Sequence, residues 1–316
     1  MDVQQLIDPE VARVIAPLIG NLDGVAIEDI PRVRAERAAA TPKPKLSDAV
    51  ERTDITVPGP EGAPDVLMRL HRPKDRTAEA LPAVFWMHGG GYIFGTYEGD
   101  DLRFDGWVRQ LNCIGASVEY RLAPEHPHPA AVEDSYAALQ WLHAHAAELG
   151  IDPARIGIGG ASAGAGLAAG LALYARDRGE LPVAFQLLIY PMLDDRQATP
   201  SSGWPVPIWA PTHNTLGWRA YLGDRYGADD VPIYAAPARA TNIEGLPPTL
   251  ISVGTLDGFV DEDIEYARRL NHAGVPVELH VYPGAPHGFD SMAPDTAVAR
   301  RARAHMEDWL ARQLRP

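Results

Sequence analysis

Three polar side chains of the kind that cooperate in hydrolysis stand where the chain turns sharply. Ser162 lies in Gly160-Ala161-Ser162-Ala163-Gly164, a G-x-S-x-G between a strand-like and a helix-like run. A serine hydroxyl is a weak nucleophile until a neighbouring base takes its proton. It must also project from a tight strand-to-helix turn, and small residues two before and two after let the backbone bend without collision. His287 offers the base, in the loop Pro283-Gly284-Ala285-Pro286-His287-Gly288-Phe289 beyond a last strand-like run. Asp257 offers the acid that orients the histidine, just past the run Thr249 to Gly254. Along the chain the acid and then the histidine follow the serine, each just beyond the end of a strand-like run.

Each member has a competitor. Asp261 is a second acid, but it stands where a helix begins and is expected to be its N-cap. His280 is a second base, but it lies within a strand, where a packed, hydrogen-bonded imidazole is expected. The serine motif could also be a plain glycine-rich turn, a reading that the flanking strand and helix weaken. A dinucleotide fold is disfavoured, because Gly157 and Gly159 are followed by Ser162 where G-x-G-x-x-G needs glycine.

Acyl transfer passes through a tetrahedral oxyanion that convergent backbone N–H groups can stabilise. The run His88-Gly89-Gly90-Gly91 follows the third strand, where a hydrolase supplies such donors, and the N–H of Ala163 would complete the hole. His88 is read as a tether for this loop. Tyr92 and Phe94, with Trp204, Trp209 and Trp218, are candidates for an apolar substrate wall, although core packing is their bland alternative. The pairs His126/His128 and His143/His145 lack a carboxylate or cysteine at ligand spacing, so no metal and no cofactor are expected.

The elements that must position these groups alternate. Strands are expected at Asp54–Val57, Val66–His71, Ala83–Met87, Ile114–Val118, Arg155–Gly159, Ala184–Tyr190, Thr249–Gly254 and Val277–Tyr282. Helices are expected near Leu102–Leu111, Ala131–Leu149, Gly164–Arg176, Asp261–His272 and Val298–Leu314. Apolar strands alternating with amphipathic helices predict an α/β fold with a mostly parallel sheet covered on both faces, the first two strands forming an antiparallel edge. Two regions break the rhythm: residues 1–46, with a Pro/Lys exit at Pro42 to Lys45, and residues 194–227, rich in Pro, Gly and Trp. They are expected to form a cap over a catalytic domain of residues 47–193 and 228–316.

Composition narrows the partners. A formal charge of −14 with no basic cluster excludes a nucleic-acid binder. One cysteine, Cys113, allows no intrachain disulfide, and the acidic N-terminus lacks a signal peptide's basic start, so a cytoplasmic location is expected. Ile156 to Ala175 carries no charge, but its six glycines fit a buried strand turning into a small-residue helix better than a membrane span.

Taken together, these motifs resemble the hormone-sensitive-lipase family of esterases (bacterial family IV). The resemblance runs from about Leu81 to the C-terminus. It rests on His88 to Gly91, Tyr120-Arg121-Leu122-Ala123-Pro124-Glu125, the stretch Pro129 to Leu142, the serine elbow, the acid loop and the histidine loop. It implies an eight-stranded α/β-hydrolase sheet, a cap from the N-terminal helices plus an insertion, and cofactor-free hydrolysis of short-acyl esters. Carried over by position, Ser162, Asp257 and His287 are the triad, and Gly90, Gly91 and Ala163 donate to the oxyanion while Gly89 shapes the loop. The sequence departs from the common pattern at Ala161, Ala165 and Gly258. A small-molecule ester is the expected partner, with a homodimer left open. A non-catalytic receptor on the same fold, and lactone or amide hydrolysis by the same residues, are the alternatives.

Overall fold

Strand β3 (Leu81–Met87) is buried along all of its seven residues, as a strand covered on both faces must be. The computed structural model describes residues 3–20, 22–40, 43–75 and 79–315, the side chain of Gln4 aside. The expected exit at Pro42 lies outside the described residues. Besides β3, the strands are β1 (Val50–Val57), β2 (Val66–Pro73), β4 (Ile114–Glu119), β5 (Ile151–Ala161), β6 (Gln186–Ile189), β7 (Thr249–Leu256) and β8 (Val277–Pro286). They form one eight-stranded sheet in the order β1-β2-β4-β3-β5-β6-β7-β8. β2 pairs antiparallel with both β1 and β4, and from β4 to β8 every pairing is parallel. The expected antiparallel edge and parallel body are both present.

The helices are α1 (Pro9–Ile15), α2 (Ile30–Ala40), α3 (Asp101–Leu111), α4 (Ala130–Ala144), α5 (Ala146–Leu149), α6 (Ala163–Arg178), α7 (Pro211–Leu222), α8 (Val260–His272), α9 (Phe289–Met292) and α10 (Ala297–Gln313). The single helix expected over 131–149 is broken at His145, whose backbone leaves helical geometry at φ −105°, ψ 12°. Its ring stacks on Trp141 at 4.1 Å, and its Nδ1 lies 2.9 Å from the Trp141 carbonyl. The uncharged run from Ile156 splits as foreseen into the end of β5 and the start of α6. Among the described residues no helix is long and apolar enough to cross a membrane.

Two pairings run beyond the expected strands and matter for the site. β5 begins at Ile151, paired with Leu81, before a register shift sets Ile156 against Ala83. Beyond a second shift, Leu256 of β7 pairs with Pro286 of β8. The next residues of those strands are Asp257 and His287, so the sheet itself delivers the carboxylate and the imidazole side by side.

Candidate active site

Ser162 turns β5 into α6 with φ 58° and ψ −123°, a conformation costly for any residue with a side chain. The turn closes only because its flanking residues are small. A Cβ on Gly160 would collide with the backbone of Gly164, and one on Gly164 would collide with the carbonyls of Met87 and His88. Hydrogen bonds fix the bend: Ser162 N–H donates to the Ile189 carbonyl at 2.8 Å, and the Ser162 carbonyl accepts from Met192 at 3.1 Å.

The three expected side chains meet. Ser162 Oγ lies 2.8 Å from His287 Nε2, and His287 Nδ1 lies 2.7 Å from Asp257 Oδ2. An ionised carboxylate only accepts, so Nδ1 carries the proton and Nε2 presents a lone pair to the serine hydroxyl. Asp257 Oδ1 accepts from Phe259 N–H at 3.0 Å, which orients the carboxylate from its other side. All three residues are buried, so their charges act in a medium of low dielectric. His280 stays on β8, 2.8 Å from Glu278 Oε1, as the bland reading expects.

The N-cap expectation for Asp261 is corrected. Phe259 caps α8, and Asp261 sits inside the first turn, where Oδ2 accepts from Ser201 N–H at 2.8 Å. Ser201 Oγ in turn donates to the Gly258 carbonyl at 2.9 Å and accepts from Asp261 N–H at 3.2 Å. This exchange stitches the 194–227 region to the acid loop.

Beside Ser162 the glycine run folds back on itself. Gly90, at φ 123°, accepts from Ile93 and Phe94 N–H groups at 3.1 and 2.8 Å, while Gly91 stands at φ 63°. Gly89 passes so near Ala161 that a Cβ would lie 2.8 Å from its carbonyl oxygen. Among the described residues, the N–H groups of Gly90, Gly91 and Ala163 donate to no backbone acceptor. His88 ties the loop down as expected. Its Nδ1 lies 2.9 Å from the Gly89 carbonyl, its ring stacks on Tyr120 at 4.3 Å, and Tyr120 Oη donates to its carbonyl at 2.7 Å. Burial holds the His88 imidazole below the usual histidine range.

The aromatic candidates divide. Trp209 lays its indole against Gly91, and Phe94 lies beneath the Arg37 guanidinium, 4.9 Å away. Trp204 is half-buried between two core clusters. Tyr92, Phe94 and Trp218 are all buried in one core cluster, with Tyr92 stacked on Tyr221 at 3.8 Å and Trp218 5.8 Å from Tyr92. The two irregular regions meet here, because His213 Nε2 lies 3.1 Å from Asp23 Oδ1. Arg34 of α2 donates to the Ile93 and Ala123 carbonyls and pairs with Glu125. Of the H-x-H pairs, His126 is exposed and His128 lies 3.3 Å from Tyr221 Oη. Among the described residues no three His, Cys, Asp or Glu side chains converge as metal ligands.

Sequence reasoning passed over several polar residues around the triad: the buried Tyr190, Asp290, Glu262 and Asp263 and the half-buried Arg103. Glu262 accepts Leu193 and Asp194 N–H groups at 2.8 and 3.2 Å, whereas both Asp263 oxygens lack a hydrogen-bond partner among the described residues. Helical periodicity on α8 could have flagged them, since both share its buried face with Tyr266. Burial raises both carboxyl groups well above their ordinary range, by desolvation first; nearby negative charge adds to it, from Asp194 and Asp257 at Glu262 and from Glu262 and Asp257 at Asp263. A raised acid favours the folded state fully only below its unfolded value, and that contribution is lost as pH climbs toward the folded value. Asp263→Asn, which keeps the shape without the charge, is therefore expected to raise Tm by a few degrees at pH 8 and to leave it unchanged at pH 4. Thermal unfolding at both pH values checks this.

Comparisons with known proteins bear on the fold and the family. A family model described as alpha/beta hydrolase fold matches residues 84–291. Esterase LipI of Mycobacterium tuberculosis is 35% identical over 308 residues, covering 95% of this chain and 93% of that protein. Carboxylesterase NlhH of the same organism is 37% identical, covering 89% and 86%. A solved structure described as a bacterial heroin esterase has TM-score 0.92 and 45% identity, covering 99% of both chains. The chain belongs to the α/β-hydrolase family, on its hormone-sensitive-lipase branch.

Proposed function

We propose that this chain is a serine carboxylesterase that hydrolyses short- to medium-chain acyl esters through an acyl-enzyme. One observation carries the reading: the unbroken hydrogen-bond chain from Ser162 Oγ through His287 to Asp257, 2.8 and 2.7 Å long in its two links. The names of the relatives, esterase and carboxylesterase, support the same chemistry.

In this mechanism Ser162 Oγ attacks the ester carbonyl carbon as His287 Nε2 takes the hydroxyl proton. Asp257 steadies the imidazolium through Nδ1–H. The oxyanion is held by the N–H groups of Gly90, Gly91 and Ala163, and each such donor contributes about 2.7–4 kcal/mol to the transition state. His287 passes its proton to the leaving alkoxide, and the alcohol departs. Water, deprotonated by the same nitrogen, attacks the acyl carbon; the bond to Oγ breaks and the imidazolium returns its proton to Ser162.

Residues 1–46 and 194–227 act as a cap, a division supported by the His213–Asp23 and Arg34 contacts. Trp209, against Gly91, forms the wall that limits the acyl chain. Rates on p-nitrophenyl esters from acetate to dodecanoate are expected to fall beyond medium length, and Trp209→Ala to move the optimum toward longer chains. A profile that rises to dodecanoate in the unmodified protein contradicts the wall. A cytoplasmic location accords with the single buried Cys113. A homodimer accords with β8 ending the sheet and is read by sedimentation.

A further inference from the structure

Tyr190 follows β6 with a backbone φ of 38°, on the left-handed side that residues with side chains rarely occupy. Such strain persists only where the surroundings fix it. Here two backbone bonds do so: Tyr190 N–H donates to the Ser252 carbonyl at 2.6 Å, and the preceding Ile189 carbonyl accepts from Ser162 itself. The result is a ring set edge-to-face with His287, centroids 4.7 Å apart and planes at 62°. Phe259 adds a second perpendicular ring at 5.1 Å.

The hydroxyl of Tyr190 is equally committed. It donates to Asp290 Oδ1 at 2.7 Å, and Asp290 Oδ2 accepts from an Arg103 guanidinium nitrogen at 3.3 Å. Arg103 is held over the Trp86 and Trp107 rings and donates through Nε to Asp100 at 3.0 Å. Asp290 stands three residues after His287, on α9. The segment carrying the imidazole is thus fastened to the tyrosine whose ring bears on that imidazole. A merely space-filling aromatic needs neither a buried carboxylate for its hydroxyl nor a strained backbone.

We propose that Tyr190, held by Asp290 and Arg103, is a positioning residue for His287. It restricts the imidazole's swing as Nε2 moves between Ser162 Oγ and the leaving oxygen. The inference rests on His287 being the general base.

The test measures kcat and KM on p-nitrophenyl butyrate for Tyr190→Phe, Asp290→Asn and the double variant, with Tm for each. It also follows the downfield Nδ1–H proton resonance of His287. Each single change is expected to lower kcat about tenfold, because small misplacements of a reacting group are costly, with KM within about twofold. The double variant should lose no more than the worse single, since both break one linkage. The His287 resonance should shift or broaden in Tyr190→Phe. Unchanged kcat in Tyr190→Phe, multiplicative losses in the double variant, or a loss confined to KM overturns the proposal. If Asp290→Asn does not fold, Tyr190→Phe, which keeps the ring, decides alone. His287→Ala separates the two readings: turnover lost there but intact in Tyr190→Phe removes only the positioning role, and turnover intact in His287→Ala removes both.

Discussion

Replacing Ser162 with alanine is expected to lower kcat for p-nitrophenyl acetate by about 10⁶-fold, the scale on which a serine hydrolase depends on its nucleophile. The loss is this large because alanine has no oxygen for His287 to deprotonate. The sole cysteine, Cys113, is buried, and burial pushes its thiol up to about 12, so it offers no thiolate. The change removes one oxygen from a turn held by backbone bonds to Ile189 and Met192, so the fold should persist. Stoichiometric labelling by an organophosphonate should be seen with Ser162 and vanish with alanine. Near-normal turnover by Ser162→Ala would sink the proposed function.

The second large effect is expected at Asp257. Asp257→Asn should lower kcat about 10⁴-fold, the scale for a triad whose buried acid becomes neutral. An amide that turns its N–H₂ toward His287 reverses the tautomer, so that Nε2 carries the proton and can no longer accept one from Ser162. Asp261→Asn should leave kcat near normal, because that carboxylate accepts from Ser201 and makes no hydrogen bond to the imidazole. Kinetics on the two variants distinguish these acids, and a larger loss at Asp261 would reverse the assignment.

The parts legible in the sequence are those with short-range signatures. Every strand was foreseen, because buried parallel strands are short apolar runs between turn signals, such as Ala83 to Met87 before His88. The residues that meet at the sheet's edge were foreseen because that edge lies at the strands' C-terminal ends. What escaped depends on contacts between distant segments. The late Leu256–Pro286 pairing needs a register shift that no local pattern encodes. The break at His145, where the ring stacks on Trp141, interrupts an otherwise regular helical period, and no local pattern marks it. Asp261 looked like a cap because an acid at a helix start usually is one; Ser201, sixty residues earlier, holds it instead. Tyr92 and Trp218 carry the same composition as a cleft wall, and only packing against Tyr221 assigns them to the interior. Tyr190 announces nothing in sequence, since its role follows from a backbone angle and a partner a hundred residues away.

The small-residue start of α6 has a consequence for how the protein can change. A Cβ on Gly164 would strike the Met87 and His88 carbonyls, one on Gly166 the Met192 carbonyl and one on Gly170 the Tyr234 carbonyl, so main chain packs closely on main chain along the first two turns. The serine's height above the sheet is thereby set without any side-chain spacer that mutation could trim or extend. Catalytic geometry and substrate choice are mechanically separate: the floor tolerates no new atoms, while walls such as Trp209 are free to be resculpted. Variation that diversifies the accepted ester should therefore accumulate in the roof and leave these glycines untouched.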